Sequence, residues 1–295
     1  MNAIFSRICI SLSIFLSVLV FSGSVQANAE VEGLQSPAWV MRERARLPIR
    51  PGMKLLEGDQ LGTGDNGRLL IRTSEGSQVK LGENAQFSIR ELKPQSSNRP
   101  FRGVWNVLRG AFRFTTSAVG HKYNRSIDIN VGVATAGIRG TDLWGKSNGL
   151  QDLICLIDGK IDVTRSGKDA VTMKPLTVYR AKRNSGESNV TPVDMDELGR
   201  WALETELSAG AGVMNESGRY RVNLITSDDI TVVQSAQGVY ENAGYPADIT
   251  KIKINGDTRY RLGISGLASY SDAQSLAQQV AATQGADDAW VSLVW

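Results

Sequence analysis

Forty positions separate two copies of one short pattern near the end of the chain: Tyr220-Arg221-Val222 returns as Tyr260-Arg261-Leu262. A fixed internal period constrains a fold more than local propensity does, because each copy must be a supersecondary unit that packs on the other. Each copy opens with a strand, passes a Ser-containing turn (residues 226–229 and 269–272) and enters a helical stretch. Ala236, Val239, Tyr240 and Ala243 give the first helix its apolar positions; Ala273, Leu276, Ala277, Val280 and Ala281 give the second. Gly244 and Gly285 stop them, since glycine adopts the left-handed conformation that ends a helix. Strands follow over 249–254 and 290–294. Two βαβ halves predict a βαββαβ unit, a four-stranded antiparallel sheet with both helices on one face.

Strand alternation then sorts the side chains. Val222 and Leu224 fall on one face, and Arg221, Asn223 and Ile225 on the other. In the third strand Tyr260, Leu262 and Ile264 point inward, and Arg261, Gly263 and Ser265 outward. Helices cover the apolar face, so the polar face is expected to be open to solvent. Arg221, Asn223, Thr226, Arg261 and Trp290 on or beside it form the candidate binding residues. They offer donors and acceptors for sugar hydroxyl and acetamido groups, with a ring to stack on a sugar. Trp290 reads equally well as a core residue at the edge of the last strand.

The other end of the chain decides its compartment. Arg7 precedes an apolar run over 8–21, and small residues lead to Ala27-Asn28-Ala29 before the first acid, Glu30. This is the pattern of a secretory leader, and the run is shorter than the roughly 20 residues of a spanning helix. Cys9 leaves with the leader. Cys155, in Leu153-Ile154-Cys155-Leu156-Ile157, is then alone and reads as a small buried hydrophobe. Without a disulfide the remaining chain of about 265 residues relies on its cores, and that length suffices for two domains.

From Trp39 to Val178 short period-two runs alternate with Gly-Asp and Gly-Asn punctuation, among them Arg68-Leu69-Leu70-Ile71-Arg72 and Ile127-Asp128-Ile129-Asn130-Val131. Many short strands at this spacing predict an all-β sandwich, roll or barrel. Gly62-Thr63-Gly64-Asp65-Asn66-Gly67 resembles a phosphate cradle, but a strand rather than a helix follows it, so a hairpin turn is expected. A polar linker over 184–192 and a helix over 194–214, with Leu198, Trp201, Ala202 and Leu207 apolar, lead onward. The predicted organisation is a leader over 1–29, an all-β domain over 30–183, a linker with a helix over 184–217 and an α+β module over 218–295. The overall charge of +3 conceals an asymmetry: residues 30–183 carry 25 Lys and Arg against 15 Asp and Glu, and residues 184–295 carry 7 against 15. Either the halves meet different partners or they attract one another.

The C-terminal residues resemble SPOR (sporulation-related repeat) domains. The likeness rests on Tyr220-Arg221-Val222-Asn223-Leu224, Ala243-Gly244-Tyr245-Pro246-Ala247, residues 260–266, Asp272-Ala273 and Ala289-Trp290-Val291. It implies an RNP-like fold and binding to peptidoglycan glycan strands stripped of peptide, which concentrate at division septa. A glutamine common in the family's first strand is replaced here by the shorter Asn223. Upstream, residues 58–64, Gly110-Ala111-Phe112-Arg113, residues 134–141 and Asp158-Gly159-Lys160-Ile161 resemble FecR-type domains over about 52–180. That family is best known for periplasmic signalling in metal-siderophore uptake, with a cytoplasmic anti-sigma segment ahead of a membrane helix. Few residues precede the apolar run here, so that arrangement is not expected.

Catalysis is not expected. The one histidine, His121, lies in a basic polar loop, which leaves no histidine-based triad or metal cluster. No metal or cofactor is anticipated, and the acidity of the last part argues against nucleic acid. The composition and both resemblances lead to a periplasmic peptidoglycan adaptor with a further protein partner in the periplasm or membrane. The alternative is a sensor or regulator that acts through a membrane protein.

Overall fold

The computed structural model describes residues 28–96, 99–116, 125–138 and 140–294. The predicted leader lies outside them except for Asn28 and Ala29; His121 and Arg139 also lie outside. Among the described residues no helix is long and apolar enough to cross a membrane.

The period-two runs form strands throughout the first two thirds of the chain. They are β1 (Ala29–Gln35), β2 (Ala38–Arg42), β3 (Ala45–Pro48), β4 (Lys54–Leu55), β5 (Gln60–Thr63), β6 (Arg68–Thr73), β7 (Gln78–Leu81), β8 (Gln86–Lys93) and the long β9 (Phe101–Thr115). After them come β10 (Arg125–Val131), β11 (Ala134–Ile138), β12 (Asp142–Ser147), β13 (Gln151–Asp158), β14 (Ile161–Arg165), β15 (Val171–Met173), β16 (Thr177–Lys182) and β17 (Ser188–Pro192). One sheet runs β3–β2–β5–β8–β9–β10–β11–β14–β15, and a second runs β17–β16–β13–β12–β9–β7–β6–β1. Every pairing is antiparallel except β9 with β10. Strand β9 belongs to both sheets. Its first part pairs with β8 and β10, and its last residues pair with β7 and β12. The strand bends at Gly110, whose φ is +88° and where a Cβ would stand 2.5 Å from the Cα of Ala85. Between the sheets Phe87 and Trp105 pack with ring centroids 5.5 Å apart, beside Phe101, Phe112 and Phe114. The glycine-rich run over 62–67 ends β5 and turns over 64–67, but this turn carries the chain from one sheet to the other and closes no hairpin.

Two expectations fail in the stretch that follows. The polar segment over 184–192 is not a free linker, because its residues 188–192 form β17 on the edge of the second sheet, with Val190 opposite Tyr179. An edge strand needs no apolar alternation, which is why its composition reads as loop. The helix predicted over 194–214 is only α1 (Met195–Leu203), capped by Asp194. Its Trp201 stacks on Trp144 with centroids 4.6 Å apart, beside the buried Cys155. Beyond it tertiary partners satisfy the amides. Ser208 N–H donates to Gln35 Oε1 (2.8 Å), and the N–H groups of Gly210 and Val213 donate to Asp272 Oδ1 (2.7 and 3.0 Å). The chain therefore winds through turns, with Gly210 and Gly212 at positive φ, into β18 (Val213–Asn215).

The remaining elements are β19 (Tyr220–Ser227), α2 (Ile230–Asn242), β20 (Ala247–Ile254), β21 (Asp257–Leu267), α3 (Tyr270–Gln284) and β22 (Trp290–Leu293). They pair in the order β20–β21–β19–β22, all antiparallel. Val222, Leu224, Leu262 and Ile264 form one core with Val233, Tyr240, Ala273, Leu276 and Val280 of the helices. Strand β18 joins this sheet to the earlier one: Leu34 of β1 lies opposite Met214, and Met214 lies opposite Leu267 of β21.

Charge also holds the two parts together. Arg50–Glu241, Lys80–Glu206, Arg113–Glu206, Lys146–Glu204 and Arg180–Glu197 each join a base from the first stretch to an acid from the second. Arg50 also donates to the carbonyls of Pro246 and Ala247 (2.8 and 2.7 Å). The asymmetry in charge is thus at least partly internal.

Asp272→Ala removes the acceptor for the partly buried amides of Gly210 and Val213 and should destabilise the chain by about 1–3 kcal/mol in urea denaturation, with Asp272→Asn milder. Burial pushes the Cys155 thiol up to about 12, so near neutral pH the inert neutral form prevails. Native chain should resist alkylation by iodoacetamide and react only at the rate at which it opens in denaturant.

Candidate functional site

The open face of the C-terminal sheet is where the candidate residues meet. In β19 the side chains of Arg221 and Asn223 point away from the helices, opposite the face of Val222 and Leu224. Arg221 lies across from Ser265 and Ser292, and Asn223 across from Gly263 and Trp290. A bulge between Asn223 and Ile225 then changes the phase of the strand. Ile225 comes opposite the buried Leu262, and Thr226 comes opposite Arg261. Simple alternation misassigned Ile225 to the polar face, because one extra residue in a strand reverses every side chain after it. The assignment in β21 agrees with the structure: Leu262 and Ile264 are buried among the helices and Tyr260 packs against that core.

Arg221 and Asn223 are not open to solvent as expected; only 8% and 2% of their surfaces are exposed. The reason for the first is a glycine. A Cβ on Gly263 would stand 2.5 Å from Arg221 Nε, so its absence lets the guanidinium lie flat across β21. There it donates to Ser265 Oγ (2.6 Å), to the Asp248 carboxylate (2.5 Å) and to the Asp248 carbonyl (3.0 Å). Asn223 donates to Ser292 Oγ (2.9 Å) and to the Trp290 carbonyl (3.3 Å), tying the central strand to the edge strand. These two residues form a floor in which the Arg221 Nη groups and the Asn223 Nδ2 group already have partners.

The other three candidates stand on that floor. Trp290 is 46% exposed, which rules out a core role for its ring. Arg261 places its guanidinium carbon 4.9 Å from the Trp290 ring centroid and donates from Nε to Thr226 Oγ1 (3.2 Å). An exposed cation–π contact of this kind contributes about 0.5–1 kcal/mol and so favours this orientation of the ring. The result is a shallow polar surface with one oriented indole, a hydroxyl and a guanidinium facing solvent. Such a surface suits a flat, hydroxyl-bearing ligand. Asp248 and Ser292 belong to the site and were not anticipated there, and Gly263 and Ser265, expected on this face, were not counted among the candidate residues. A glycine inside a strand signals close approach of another group, and Gly263 was the available clue.

Among the described residues no group of three or more His, Cys, Asp or Glu is arranged to hold a metal ion. The earlier sheets offer a different polar surface, where Asn130 donates to Asn106 (2.6 Å) and Thr135 to Asn130 (2.7 Å) across neighbouring strands.

Residues 59–162 match the family model described as FecR protein. The match runs from β5 to β14 and takes in the run over 134–141; it is narrower than the span of about 52–180 expected from sequence, and the C-terminal sheet lies outside it. Among curated proteins no sequence matches the chain. Two crystal structures of a candidate anti-sigma factor from Parabacteroides distasonis ATCC 8503 are similar to it, each at 10% identity. One gives a TM-score of 0.40 over 77% of this chain and 92% of that one; the other gives 0.41 over 80% and 97%.

Gly263→Ala should force Arg221 off the sheet and cost about 1–3 kcal/mol in urea denaturation, as overpacking does. Trp290→Ala, which changes an exposed ring, should leave the denaturation midpoint nearly unchanged.

Proposed function

We propose that this chain is an exported, non-catalytic sensor or regulator. In this reading the FecR-type sandwich meets a membrane or periplasmic protein, and the open face around Trp290 engages the glycan strands of peptidoglycan. The observation that carries the regulatory part is the FecR match over residues 59–162. Glycan engagement is supported by the resemblance of the C-terminal sequence to SPOR domains and by the exposed indole beside Arg261 on a hydrogen-bonded polar floor. Aromatic rings are suited to sugar faces, and Thr226 and Arg261 beside the ring supply partners for hydroxyl or acetamido oxygens. Continuity of the sheet through β18 would let one part respond to occupancy of the other.

A second reading, a septal adaptor that anchors a partner to the cell wall without regulating anything, draws on the same face. Two measurements separate them. The full chain, wild type and Trp290→Ala, is sedimented with intact and with peptide-stripped sacculi, and transcripts are profiled in a strain lacking the chain. The regulator reading expects preferential sedimentation with stripped sacculi, weakened roughly tenfold by the loss of a central aromatic. It also expects a discrete set of altered transcripts, restored by wild type and not by Trp290→Ala. Binding without a transcript change leaves the adaptor. No binding by the folded chain removes the glycan from both readings.

A further inference from the structure

The side of β19 opposite the polar face carries a second opening. A groove of about 360 Å³ lies between α2 and the end of α3, bordered by Leu224, Ile225, Val239, Tyr240, Asp287 and Asp288. Its apolar wall is unusually open for a core-facing surface: Ile225 is 37% and Val239 57% exposed. Val232, seven residues before Val239 and so on the same side of α2, is exposed as well. The bulge in β19 is what delivers Ile225 to this side.

Valines on an exposed helix face lower helix propensity and leave apolar surface in water. Here no contact within the described chain covers them. An apolar surface rimmed by polar groups is one mark of an interaction site. The rim is acidic: Asp287 and Asp288 are both exposed at the mouth.

We infer that this groove binds a basic amphipathic helix of a partner protein, with apolar residues between α2 and α3 and Lys or Arg against Asp287 and Asp288. Helix-in-groove recognition uses apolar anchors of this kind, and complementary charge sets the orientation and excludes acidic partners. The groove and the Trp290 face lie on opposite sides of β19. The inference does not depend on glycan binding.

The test uses the full chain and a labelled synthetic amphipathic helix of Leu and Lys, followed by fluorescence anisotropy. A helix of Leu and Glu is the control. The Leu/Lys helix should bind, and the Leu/Glu helix should not. Affinity should fall roughly tenfold for Val239→Asn and for the Asp287→Asn, Asp288→Asn double variant, with circular dichroism unchanged in both. Equal affinity for wild type and Val239→Asn would overturn the inference, as would equal binding of the two helices. Sedimentation velocity of the chain alone provides the remaining arm: self-association abolished by Val239→Asn would assign the groove to a second copy and overturn it too.

Discussion

A strand of three residues determines how the rest of this molecule is arranged. β18 supplies hydrogen-bond partners for the free edge of β1 and touches β21 through Met214. Leu34, Met214 and Leu267, which line up across the three strands, are all fully buried. Without β18, β1 and β21 would each present unpaired amides and carbonyls at the place where the two parts meet, and unpaired buried backbone groups are costly. The segment leading into it is held by Gln35 on one side and Asp272 on the other. Asp272 also takes part in a reciprocal cap with Ser269 at the start of α3. One carboxylate therefore fixes both a helix terminus and the path of the connection, so that the polar face and the sandwich belong to one continuous sheet.

That connection was the least legible part of the sequence. The alternation of Arg68–Thr73 or Ile127–Val131 reports burial on one face directly, and the forty-position repeat reports the order of strands and helices. Residues 204–215 carry no such signal, because the amides of Ser208, Gly210 and Val213 are satisfied by Gln35 and Asp272, which are remote in sequence. Local propensity favoured a longer helix there; distant acceptors decided otherwise. The same holds for β17, whose polar residues suit an edge strand as well as they suit a loop.

The site shows the limits of alternation from the other direction. The five candidates do come together, yet they divide into a buried floor, Arg221 and Asn223, and a rim of the exposed Thr226 and Trp290 with the half-buried Arg261. Alternation tells which way a side chain leaves the backbone and says nothing of whether it then lies flat. Arg221 lies flat because Gly263 leaves room for it and Asp248 waits on the next strand. The bulge at Asn223 is equally invisible in a pattern of polar and apolar residues, although it places Thr226 beside Arg261 and turns Ile225 toward the helices.

The division into floor and rim bears on how such a face would act. Arg221 is neutralised by Asp248 and Asn223 is occupied by Ser292, so neither is a free donor searching for a ligand. Their contribution is to hold β20, β21, β19 and β22 in fixed relation and so to keep the indole and the Arg261 guanidinium in place. A surface ordered before its ligand arrives loses less entropy on binding. A ligand on it would also meet a sheet that continues through β18 into β1, tied further by Arg50 to Glu241 and to the carbonyls of Pro246 and Ala247. Reorienting the module on the sandwich would break these bonds together. A signal from this face is therefore better carried by occupancy, through what the bound surface admits or excludes, than by a hinge.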